Sequence, residues 1–141
     1  MVYWKYRAID RLKGYRGKKV SIQNLKDQLA RLESKETSIR NAADPESGVK
    51  ENALLSILVE KDEYAEMLFR AEKFVEVVER GLSVLSEEER HWLDMMYIQP
   101  TKDSKEKLME ELGLQETSSL YKRINKPLHE FTVAIYGGIS L

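Results

Sequence analysis

The sequence predicts an all-α protein: an N-terminal long antiparallel helical hairpin, coiled-coil-like, followed by a C-terminal helix-turn-helix. Three observations carry this. Apolar residues recur by threes and fours through two long stretches instead of alternating. The 3 Pro and 7 Gly in 141 residues leave little for the many turns of an all-β fold. Gly113 stands between two short amphipathic stretches, where a helix commonly exits through a left-handed residue. On this reading residues 1–85 form the hairpin and oligomerisation region, and residues 86–141 form the helix-turn-helix.

Met1 to Lys13 reads as a short helix with Ile9 and Leu12 on one side. Tyr3, Trp4 and Tyr6 lie beside Lys5 and Arg7, but aromatics at helical spacing are more often packing groups than base-stacking platforms. Gly14 and Gly17 loosen the chain, and Ser21 caps a long helix to about Asn41. Its stripe is Ile22, Leu25, Leu29, Leu32 and Ile39, broken only by Glu36. The run NAADPESGVKEN holds Asp-Pro and Ser-Gly and reverses the chain. A second helix then runs from about Val49 to Val84, with Ile57, Tyr64, Leu68, Ala71, Val75, Val78, Leu82 and Leu85 on its seam. Gly81 is placed to let it bend. This helix is longer than its partner, so its far end needs another surface, the N-terminal helix, the helix-turn-helix or a second copy of the chain, and a homo-oligomer, most simply a twofold dimer, is expected.

Ser86 to Glu89 has capping-box spacing with three acids in the first helical turn. That role accounts for every residue of the Glu run, so no metal or acid–base cluster is needed. Trp92, Leu93, Met96 and Tyr97 form a packing face, and Gln99-Pro100 closes the helix. Asp103 to Glu106 repeats the capping spacing, with Ser104 as a competing cap. Leu108, Met109 and Leu112 then share one side of a short helix, and Leu114 plugs the corner after Gly113. Thr117 or Ser118 caps the next helix, whose stripe is Leu120, Ile124, Leu128, Phe131 and Ile135. Pro127 removes a donor inside it and predicts a bend between Arg123 and Pro127. The tail GGISL is expected to fray. The outer side of this helix shows Ser118, Ser119, Tyr121, Lys122, Arg123, Asn125 and Lys126, hydrogen-bonding and phosphate-pairing groups suited to a DNA groove. Spacing alone leaves an ordinary solvated face equally open.

The runs LSEEERHWLDMMYI, KEKLMEELGL and LYKRINKPLHEFTVAIYG resemble the fourth conserved region of bacterial sigma factors, and more closely the ArpU and RinA type of phage transcriptional regulators. Leu85, Ser86 and Glu89 match the start of that pattern, and Glu106, Leu108, Leu112 and Gly113 match its first motif helix. Tyr121, Lys122 and Arg123 match the start of its recognition helix, and Leu128, Ile135, Tyr136 and Gly137 match its ending. The resemblance implies a sequence-specific DNA-binding regulator, with Ser118, Ser119, Tyr121, Lys122, Arg123 and Lys126 as the DNA-facing residues and RNA polymerase as a possible second partner.

A net charge of −1 conceals an asymmetry. Residues 1–20 hold seven bases to one acid, and residues 51–90 hold eleven acids to five bases. These blocks either contact each other or leave the basic one for nucleic acid. Glu110, Glu111 and Glu116 lie near the presumed DNA side and oppose phosphate. The chain has no cysteine, no window of membrane-span length and no visible signal peptide, so a cytoplasmic protein without membrane contact is expected. His91 and His129 lack a second ligand or nucleophile at motif spacing, and no phosphate-cradling glycine loop is present. No catalysis, cofactor or metal is expected. A helical scaffold or adaptor, or a phage DNA-packaging subunit, is the alternative to a regulator.

Overall fold

Helical periodicity governs every element of the computed structural model, which describes residues 3–42 and 47–137. Among the described residues five α-helices form: α1 Tyr3–Asn41, α2 Ser47–Ser83, α3 Glu87–Leu93, α4 Ser104–Leu112 and α5 Thr117–Tyr136. A π-helical segment, Asp94–Ile98, continues α3. No strand occurs among the described residues. The Asp-Pro pair of the expected reversing loop and all but the first Gly of the expected fraying tail lie outside the described residues.

The start of the chain departs from expectation. α1 runs unbroken through Gly14 and Gly17, so the short N-terminal helix and the long helix after it are one element. Ser21 is therefore mid-helix, where its hydroxyl donates to the Lys18 carbonyl at 2.8 Å, and it caps nothing. Two helical glycines cost roughly 1 kcal/mol each against alanine. Ala8 and Leu12, both at 0% exposure, supply the compensation, since full burial of one leucine is worth about 1.5–3 kcal/mol. Of the three N-terminal aromatics only Trp4 packs against the core, while Tyr3 and Tyr6 are exposed.

The chain divides into two compact units, one of Lys18–Lys73 and one joining the chain up to Gly17 with the chain from Phe74 onward. In the first, Leu25, Leu32, Ile57 and Ala71 are buried, all members of the expected seams. Glu36 interrupts its seam for a reason: its carboxylate takes Lys61 from α2 at 3.0 Å and Arg40 at 3.0 Å. The bonds from Lys61 and Arg40 hold this carboxyl below the usual carboxylate range. A second apolar row on α2, Leu55, Leu58, Val59 and Phe69, is 46–61% exposed.

In the other unit Ala8, Leu12, Val78, Leu85, Leu93, Leu108, Leu120, Ile124, Leu128 and Phe131 form one buried core. The α5 stripe read from sequence is its centre. Gly81 serves packing here. A Cβ at this position would lie 2.6 Å from Ile135 Cγ2 and 2.7 Å from Phe131 ring carbons. Alanine gains roughly 1 kcal/mol of helix propensity but overpacks the α2–α5 contact by about 1–3 kcal/mol. Gly81→Ala is therefore expected to lower the denaturation midpoint, which a urea titration followed by circular dichroism checks.

Local chemistry sets the remaining boundaries. Ser86 and Glu89 form the expected reciprocal capping box, with N–H···O distances of 3.1 and 3.2 Å. After Leu93 the backbone widens, and the Gln99 N–H reaches back five residues to the Asp94 carbonyl at 2.8 Å. The wider turn leaves Met95, Met96, Tyr97 and Ile98 all half-buried against the core. Asp103 stands at the α4 cap position without capping, because its carboxylate accepts from the Thr101 hydroxyl and pairs with Lys107. Ser104, the competing cap, instead accepts the Thr101 N–H at 2.7 Å. Neither Thr117 nor Ser118 caps α5: Glu116 holds that position and makes no side-chain cap bond. α5 continues as one helix through the buried Pro127.

Candidate nucleic-acid interface

The corner before α5 decides which side of that helix meets water. Gly113 has φ 66 and ψ 32, a left-handed conformation that costs glycine little. Beyond it the Leu114 N–H returns to the Met109 carbonyl at 2.9 Å, which closes the end of α4. Leu120, Ile124, Leu128 and Phe131 are then drawn inward, each at 1% exposure or less. Helical geometry sends Lys122 and Lys126 to the opposite side, and Lys122, Arg123 and Lys126 are all exposed.

Ser119, Lys122, Arg123 and Lys126 share the wall of one open concavity of about 450 Å³. Its other wall is Glu89 and Trp92 from α3, with Leu114 at the corner. Three cations face a single carboxylate there, and that carboxylate is already accepting the Ser86 N–H. Of the acids expected to oppose phosphate, Glu111 is engaged by His91 Nε2 at 3.0 Å. The N-terminus of α5, without a side-chain cap, adds the positive end of its dipole. An arrangement of this kind attracts a phosphate backbone and offers hydrogen bonds from Ser119 and Arg123.

Two of the six residues singled out by sequence are not in this concavity. Ser118 is exposed and points its hydroxyl at Glu116, at 3.5 Å. Tyr121 is 41% exposed and lies under Lys105, whose ammonium is 5.2 Å from the ring centroid. Beside it, burial pushes the Tyr97 hydroxyl above its ordinary pKa, with a further push from Tyr121. Lys105 belongs to α4, and no spacing within α5 brings it to Tyr121. Trp92 and Leu114 pack against the core, as their apolar spacing predicts, and also line the concavity.

No group of three potential ligands that could hold a metal occurs among the described residues. No described helix is long and apolar enough to cross a membrane. Comparisons with protein-family models, curated proteins and solved structures found no match for this chain.

Proposed function

We propose that this protein is a DNA-binding transcriptional regulator of phage or prophage type, which presents α5 of a sigma region 4-like helix-turn-helix to duplex DNA. The observation that carries the reading is the concavity between α3 and α5, where Ser119, Lys122, Arg123 and Lys126 meet one carboxylate that is already engaged. Lys122 and Lys126 pair with backbone phosphates, Arg123 reaches phosphate or a guanine edge, and Ser118, Ser119 and Tyr121 supply hydrogen bonds at the margins. The core stripe of α5 fixes the angle at which this face is offered. The resemblance in the C-terminal sequence supports the phage-regulator class and extends the proposal to a contact with RNA polymerase.

Within the same proposal α1 and α2 form an antiparallel hairpin that pairs two copies of the chain. The exposed row of Leu55, Leu58, Val59 and Phe69 supports self-association, because such a row gains by leaving water. It also supports the rival reading, a helical scaffold whose C-terminal unit binds nothing.

One experiment separates them. The triple variant Lys122→Gln, Arg123→Gln, Lys126→Gln is titrated against a labelled duplex over a salt series, with mass measured in parallel. Three lost phosphate contacts are expected to make the slope of log K against log salt shallower by about 2 to 3. Unchanged helicity and mass accompany that loss. Equal binding by variant and parent contradicts the assigned face. Absence of duplex binding at low salt in a tightly self-associated parent favours the scaffold, and a ring of many copies favours packaging.

A further inference from the structure

The basic residues near the start of the chain acquire a location that no sequence pattern assigns. Lys122, His129 and Tyr136 are spaced by sevens, about two helical turns, so they form one row along α5 at intervals of roughly 10 Å. The second and third members of that row are rings, and both rings carry α1. Trp4 meets His129 edge-on, with centroids 5.4 Å apart, and Lys5 stands over the Trp4 ring at 5.9 Å. Arg7 and Arg11, one helical turn apart, share the Tyr136 ring at 4.7 and 6.0 Å, and Arg11 also lies 5.1 Å from the Phe74 centroid.

Stacking on a ring has a chemical consequence that pairing with a carboxylate does not. The guanidinium keeps its full charge, and its planar edge keeps N–H donors available for a bidentate acceptor such as phosphate. Arg7 is exposed, and Lys5 and Arg11 are half-buried. The cationic row beginning at Lys122 is thus continued along α5 for about 20 Å by side chains from the far end of the sequence. A duplex of that length carries about six phosphates per strand.

We propose that Arg7 and Arg11 form a second phosphate-binding pair, so that one duplex backbone is held by α5 and by the first turns of α1 together. This rests on the reading of α5 as a duplex-binding face and adds a second contact to it. Held over the Tyr136 ring, the two guanidiniums add affinity and salt dependence to the contact made by α5.

The test uses the full chain and a labelled duplex of random sequence. The variant Arg7→Gln, Arg11→Gln is expected to make the salt slope shallower by about 2 and to weaken binding at least tenfold at low salt. The charge-keeping variant Arg7→Lys, Arg11→Lys is expected to retain the parental slope. Because these cations also pack on a ring, a readout on the unaltered protein accompanies them: modification of arginines by phenylglyoxal and of lysines by acetylation, mapped by mass spectrometry with and without saturating duplex. Protection of Arg7 and Arg11 together with Lys122 and Lys126 is the expected result. Protection of Lys122 and Lys126 with Arg7 and Arg11 fully reactive overturns this proposal alone. A parent protein that binds no duplex overturns it together with the regulator reading.

Discussion

Deleting the chain up to Gly17 is expected to unfold the C-terminal unit rather than to trim a tail. The segment is strongly basic and, read as charge alone, invites removal as a dispensable arm. Ala8 and Leu12 are nevertheless fully buried in one core with Val78, Leu93, Leu120 and Phe131, and Trp4, Ile9 and Tyr15 pack against that core. Leu12 alone represents about 1.5–3 kcal/mol of burial. With the part-buried neighbours the loss reaches roughly 5 kcal/mol, comparable with the entire stability of many single domains. Thermal melts followed by circular dichroism check this: the truncated protein should lose its cooperative transition. A melt within a few degrees of the parent would contradict the packing described for α1. The electrostatic contribution of this segment is accordingly measured with charge substitutions that keep the helix.

Phe131→Ala is expected to cost about 3–5 kcal/mol, the range for removing a fully buried aromatic ring. Phe131 is at 0% exposure, and its ring occupies the space that Gly81 leaves open on α2. The surroundings are helices pinned elsewhere by Leu120, Leu128 and Val78, so collapse into the hole is limited. Phe131→Leu keeps most of the volume and should lose less. Urea unfolding measures both, and a loss below about 1 kcal/mol for the alanine variant would mean that the ring is not central.

Residues whose roles are set by near neighbours were legible in the sequence. Ser86 with Glu89, Gly113, and the stripe from Leu120 to Ile135 each announce a capping, turning or periodic pattern within a few positions, and each is found. Roles set by distant segments were not. Gly14 and Gly17 look like breakers until the burial of Ala8 and Leu12 is known, because propensity of roughly 1 kcal/mol per residue yields to tertiary packing. Gly81 looks like a hinge until Phe131 and Ile135 are seen against it. Glu36 looks like a flaw in a seam until Lys61 arrives from α2.

The candidate site divides in the same way. Lys122, Arg123 and Lys126 are visible as the polar side of an amphipathic helix, since helical spacing alone separates them from the Leu120 stripe. Ser119 shares their concavity, whereas Ser118 and Tyr121 turn aside to partners of their own. Trp92 and Glu89 join the concavity only through the fold, and the basic block at the start of the chain shows in composition while its placement of Arg7 on the Tyr136 ring does not.

Backbone amide shifts recorded by NMR while duplex DNA is added to the full chain test the central claim most directly. If α5 is the face offered to DNA, the largest changes fall between Ser118 and Lys126 and at the Trp92 indole, and they diminish as salt is raised. Changes confined to α2 between Glu51 and Lys73, or a spectrum indifferent to duplex at low salt, would contradict it.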